Sequence, residues 1–129
     1  MNMKKIIHTD TAPKAIGTYS QAVSIENLTF ISGQIPLDPE TMNIVDGDFK
    51  DRAHRVFKNL SNIAKAGGGS LDDAIKVSIF LTDLGNFAEV NEVMAQYFQE
   101  PYPARAAIGV ASLPKDVDIE VEAILAIKM

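Results

Sequence analysis

DVDIEVEAI (residues 116–124) alternates carboxylates with apolar residues, and this alternation organises the reading of the chain. Val117, Ile119, Val121 and Ala123 fall on one face and Asp116, Asp118, Glu120 and Glu122 on the other, the period-2 pattern of a β-strand. The apolar set continues through Leu125 and Ile127, so a strand is expected over residues 117–127. The acidic set does not continue; it gives way to Ile124 and Ala126. A strand that is apolar on both faces in its second half implies that a second subunit covers its outer side.

Alternate carboxylates on a strand stand about 6.6 Å apart, and each neighbouring pair repels by roughly 0.6 kcal/mol in water or about 2.5 kcal/mol at an effective dielectric near 20. Burial of the whole row without cations is therefore disfavoured. Asp116, Asp118 and Glu122 are expected in solvent, and Glu120, nearest the apolar half but one, is the carboxylate singled out. The preceding segment offers a cation. Over residues 104–110, Ala104, Ala106, Ile108 and Val110 share one strand face, while Arg105, Ala107 and Gly109 share the other. Arg105 flanked by small residues has two readings: a surface arginine paired with an acidic neighbour, or a guanidinium left to take a ligand carboxylate through two hydrogen bonds.

Working back along the chain, residues 19–25 and 28–33 form two short strands around a Glu26-Asn27 turn. The segment IPLDPETMNIVDGD (residues 35–48) is loop chemistry that ends at Asp48, a helix N-cap. Ala53, Val56, Phe57, Leu60, Ile63 and Ala64 then follow the helical period, and Gly67-Gly68-Gly69 stops the helix. The triple glycine follows a helix rather than joining a strand to a helix start, which sets aside a phosphate loop. Residues 74–81 alternate, with Ile75, Val77, Ile79 and Leu81 inward. Asn86 with Glu89 resembles a capping box for a second helix with stripe Phe87, Val90, Met94, Tyr97 and Phe98. Asn91 falls on that stripe, where a buried amide needs a hydrogen-bond partner. Pro101 and Pro103 end the helix, and ASLPKD (residues 111–116) connects the last two strands; residues 4–8 add a short strand at the start. The order predicts an α+β fold, residues 1–129 as a single domain, with a mixed sheet and two helices packed on one face.

Composition narrows the function. The chain has 129 residues, no cysteine and a formal net charge of −5. That excludes a thiolate nucleophile and cysteine-ligated metals; a phosphate-backbone binder needs a basic surface that this chain lacks, so a nucleic-acid partner is not expected. MNMKKIIHTD has no apolar run of signal-peptide length and no later run approaches a membrane span, so the expected setting is the cytoplasm, with no membrane partner. His8 and His54 make no metal signature and are expected at edge or solvated positions. Tyr19 is either core or the wall of a cleft; its spacing does not decide.

AIGTYSQA (residues 15–22), FISGQIPLDPET (30–41), FAEVNEVMAQYF (87–98) and PARAAIGVASLPKDVDIEVEAILA (103–126) together resemble the RidA (YjgF-type) family of reactive-intermediate deaminases, in motif order and over nearly the whole chain. The resemblance implies a fold like chorismate mutase of the Bacillus type, assembled as a homotrimer whose sheets form a central barrel with ligand clefts between subunits. It implies hydrolysis of 2-iminobutanoate and 2-iminopropanoate, or their enamine tautomers, to 2-oxo acids and ammonia, with no cofactor. Within that pattern Arg105 binds the substrate carboxylate and Glu120 orients or activates water; Tyr19, Ser32, Gly33, Ala107 and, across the interface, Asn91 shape the site. Many members have cysteine where this chain has Ala107, and the usual proline is replaced by Thr18, which loosens the loop carrying Tyr19. A different class of function is a non-catalytic trimer that binds 2-oxo acids as a sensor. RNA cleavage, an activity attached to relatives, fits the acidic charge least.

Overall fold

The strand pattern around residues 117–127 becomes the centre of a six-stranded mixed sheet. The computed structural model describes residues 3–128; Met1 and Asn2, part of the N-terminal stretch read above, lie outside it. The strands are β1 (Lys5–Ile7), β2 (Ala22–Ile25), β3 (Leu28–Gln34), β4 (Ala74–Leu81), β5 (Ala104–Gly109) and β6 (Ile119–Ala126), and the helices are α1 (Phe49–Ala66) and α2 (Phe87–Met94). Their lateral order is β1-β2-β3-β6-β4-β5, antiparallel throughout except for the parallel β4–β5 pair. The strand-helix-strand passage from β4 through α2 to β5 is the crossover that a parallel pair requires.

The helices cover one face. On α1 the expected stripe is buried, with Phe57, Leu60 and Ile63 against Val77, Ile79, Val121 and Leu125. Asp48 caps the helix as expected, accepting from the Asp51 amide at 3.0 Å while Asp51 accepts from the Asp48 amide at 3.1 Å. Gly68, with φ +92, ends it in a conformation that L side chains rarely adopt. Asn59, which the stripe did not include, is fully buried and donates to the Leu37 carbonyl at 3.0 Å, tying the long loop to the helix.

Several expectations are corrected. The first hairpin strand begins at Ala22 rather than Tyr19, although the two-residue Glu26-Asn27 turn stands, with positive φ at Glu26. Ile75 is 47% exposed, because the β4–β6 register shifts between Ala74 and Lys76 and turns Ala74 inward in its place. Asn86 is itself helical in φ and ψ and makes no side-chain cap; Asp83 instead caps a 3-10 turn through the Gly85 amide. The helix α2 ends at Met94, so Phe98 and Tyr97 pack from the turn beyond it. The last strand starts at Ile119, after a 3-10 turn at Pro114–Asp116 in which Lys115 and Asp116 both have φ +57.

The second face of the sheet carries no helix. One row across it reads Ile6, Val23, Phe30 and Ile124. Ile6, Phe30 and Ile108 are about half exposed. Among the described residues no helix is long and apolar enough to cross a membrane.

Candidate functional site

The sequence-predicted site residues separate into two groups on opposite faces of the sheet. Within β6, Ile119 and Val121 are buried beneath the helices, so Glu120 between them lies on the open face, opposite Phe80 of β4. Beside it β3 carries a bulge: Ile31 pairs with Ala123 and Gln34 with Val121, leaving Ser32 and Gly33 opposite Glu122 alone. The bulge brings the backbone of Gly33 against Glu120. A Cβ on Gly33 would overlap Glu120 Oε2 and lie 2.9 Å from its Cδ, so only glycine lets the carboxylate lie here.

Ser32 is held on both sides, its amide donating to the Gln21 carbonyl at 2.9 Å and its hydroxyl to the Ser20 carbonyl at 2.6 Å. Gln21 is buried and donates to the carbonyls of Thr9 and Pro13, at 3.0 and 2.8 Å, so it anchors the N-terminal segment that leads to Tyr19. Tyr19 is 52% exposed, which decides for the cleft wall over the core. Tyr19, Ser32, Gly33 and Glu120 line one cavity of about 410 Å³, together with Lys14 and Lys115, which no sequence motif singles out. Burial raises the Glu120 carboxyl above the ordinary glutamate range, and the neighbouring Glu122 carboxylate raises it further. Half-buried, with its proton affinity raised above that of a free glutamate, Glu120 is suited to accept and return a proton.

The other acidic residues divide. Asp116 and Glu122 are exposed, as expected. Asp118 is not: Arg52 of α1 forks onto it, Nε to Oδ1 at 3.0 Å and Nη2 to Oδ2 at 2.7 Å, and donates from Nη1 to the Gly47 carbonyl at 2.8 Å. The cation for the row therefore comes from α1. Arg105 cannot serve, because β4 separates β5 from β6 and because Arg105 pairs in register with Val77, which faces the helices.

On that helix face Arg105 meets α2. Its Nη1 donates to Asn91 Oδ1 at 2.6 Å and approaches Met94 Sδ at 3.7 Å, and its Cζ stands 4.9 Å from the centre of the Phe87 ring. Asn91 is exposed rather than buried in the stripe, and it accepts a hydrogen bond from Arg105 of its own chain. Arg105 is exposed and forms no ion pair among the described residues. A depression of about 470 Å³ bordered by Asn91, Met94, Phe98, Tyr102 and Pro103 opens beside it. Ala107, two residues on, shares this face and packs partly against the core.

Residues 9–127 match the family model described as endoribonuclease L-PSP, that of the YjgF/RidA proteins. The chain belongs to this family. A RutC family protein of Pyrococcus horikoshii is 54% identical over 122 residues, spanning 95% of this chain and 97% of that one. A 2-iminobutanoate/2-iminopropanoate deaminase of Dermatophagoides farinae is 41% identical over 99% of this chain and all of its own length. Among solved structures, RidA from an Antarctic Psychrobacter superposes with a TM-score of 0.92 at 53% identity, covering 95% of this chain and 99% of its own. The YjgF/RidA family includes reactive-intermediate deaminases. In this member of it, a guanidinium with no acidic partner among the described residues and a carboxylate of raised proton affinity are both present, two strands apart and on opposite faces.

Proposed function

We propose that this protein hydrolyses 2-iminobutanoate and 2-iminopropanoate, or their enamine tautomers, to 2-oxo acids and ammonia, without a cofactor, at sites shared between the subunits of a homotrimer. The observation that carries this reading is the placement of Arg105 and Glu120 on opposite sheet faces: one chain offers each residue at its own opening, and a neighbouring copy supplies the complement. The uncovered apolar face of the sheet supports assembly, since Phe30, Ile108 and Ile6, each about half exposed, gain roughly 1 kcal/mol apiece from burial of the remainder.

The chemistry asks little of the protein. A protonated imine carbon is already electrophilic, so the site has to hold the substrate, place water and move protons. Arg105 takes the carboxylate through two parallel hydrogen bonds. Glu120, ionised, accepts a proton from water as its oxygen attacks the imine carbon, giving a carbinolamine. The same proton passes to the amino nitrogen; as the C–N bond breaks, Glu120 takes the hydroxyl proton so that the 2-oxo acid forms, and that proton leaves with ammonia as ammonium. Tyr19, Ser32 and Gly33 form the wall beside Glu120, and Ala107 and Asn91 lie beside Arg105.

The test generates 2-aminocrotonate in situ with a threonine dehydratase and follows formation of 2-oxobutanoate. Wild type accelerates the step over its spontaneous rate, and Arg105→Ala and Glu120→Gln do not. Tight binding of 2-oxobutanoate with no acceleration by the wild type would replace this reading with that of a metabolite sensor.

A further inference from the structure

The setting of Arg105 carries more than the presence of a cation. Phe87, Asn91 and Met94 stand at i, i+4 and i+7 on α2 and therefore share one helix face, and all three touch the same guanidinium. None of the three is charged. A guanidinium has five N–H donors. The two on Nη1 have two acceptors at hand, Asn91 Oδ1 at 2.6 Å and Met94 Sδ at 3.7 Å, while the Phe87 ring attracts the positive charge without taking a hydrogen bond.

We infer that this face of α2 is a charge-neutral cradle that pre-orients Arg105, occupying Nη1 and leaving the Nε–Nη2 edge to receive a ligand carboxylate. Phe87 is then a positioning residue: it touches no substrate and acts through the arginine. An acidic residue in its place would cancel the charge that the ligand needs, and an aliphatic one would leave a long side chain to be ordered at binding, at a cost to affinity. The inference rests on the proposed role of Arg105 in binding a carboxylate, but its first test does not need activity.

That test is ¹⁵N NMR of the Arg105 guanidinium in the oligomer as it forms, with wild type, Phe87→Leu, Phe87→Tyr and a variant carrying trifluorophenylalanine at position 87. The fluorinated ring keeps the shape but loses the negative face, so it separates attraction for the cation from packing. Wild type and Phe87→Tyr are expected to show slowed guanidinium rotation with distinct Nη signals; Phe87→Leu and the fluorinated variant are expected to show averaged ones. Titration with 2-oxobutanoate should then shift Nε and Nη2 and leave Nη1 in place. Affinity should fall about fivefold in Phe87→Leu and in the fluorinated variant but hold in Phe87→Tyr. Equal rotation and equal affinity in all four proteins would overturn the cradle, and a shift confined to Nη1 would overturn the assigned edge. A wild type that shows slowed rotation yet neither binds 2-oxobutanoate nor releases ammonia would refute the proposed function while leaving the cradle standing.

Discussion

Removing the Glu122 charge should lower the proton affinity of Glu120. The two carboxylates are alternate residues of β6, about 6.6 Å apart. At that distance the repulsion is about 0.6 kcal/mol in water and about 2.5 kcal/mol at an effective dielectric near 20. Glu122 is exposed and Glu120 half-buried, so the repulsion removed in Glu122→Gln lies toward the aqueous end, and the Glu120 value moves downward. Burial is the larger cause of the raised value, so Glu120 in the variant stays above the ordinary glutamate range. A ¹³C titration of the Glu120 carboxyl measures this directly, and added salt should shrink the difference between the two proteins, since an exposed charge is screened. The acid limb of the rate profile should move to lower pH by the same amount. Stability gives a second check. Because the folded value lies above the unfolded one, the folded state binds more protons between them, and stability falls as pH rises through that window; Glu122→Gln makes the fall shallower. An unchanged or raised Glu120 value would refute the assignment of these two side chains to one face of one strand.

Three further outcomes follow. Gly33→Ala places a methyl group where Glu120 lies and should cut ammonia release by about 10- to 100-fold while the thermal midpoint changes little, because a displacement of about 1 Å at a reacting group has this effect on rate. Arg52→Ala leaves Asp118 without its fork and should cost about 1–2 kcal/mol, read as a fall in Tm of about 3–8 °C. Phe30→Glu puts a carboxylate in the middle of the uncovered apolar row and should lower the assembled mass from trimer to monomer in native mass spectrometry.

Where one residue pattern dominates, the sequence predicts the structure well. The α1 stripe, the Asp48 cap, the glycine stop and the inward face of β6 all follow from side-chain period and cap chemistry. The departures come from single-residue shifts that period cannot encode. The register shift at Ala74 turns Ile75 outward, and the bulge at Ser32 and Gly33 brings Glu120 against a glycine. The candidate residues can be picked out of the sequence, but their geometry cannot. Arg105 and Glu120 stand on strands consecutive in sequence, which invites pairing them, but β4 inserts between those strands. The parallel β4–β5 pairing turns Arg105 toward α2. Asn91 was placed on the helix stripe because its spacing from Phe87 is right; its amide lies at the margin of that stripe, where Arg105 reaches it. Arg52 as the partner of Asp118 lies 66 positions away in sequence, and nothing local announces it.

Mixed oligomers test most directly whether a complete site takes Arg105 from one chain and Glu120 from another. Arg105→Ala and Glu120→Gln, each inactive alone, are unfolded together and refolded at equal concentration. If sites form head-to-tail between neighbours, random assembly restores both residues in about a quarter of them, and the mixture recovers about a quarter of wild-type ammonia release. A mixture as inactive as its two components, in oligomers shown by mass to contain both chains, would contradict the shared site.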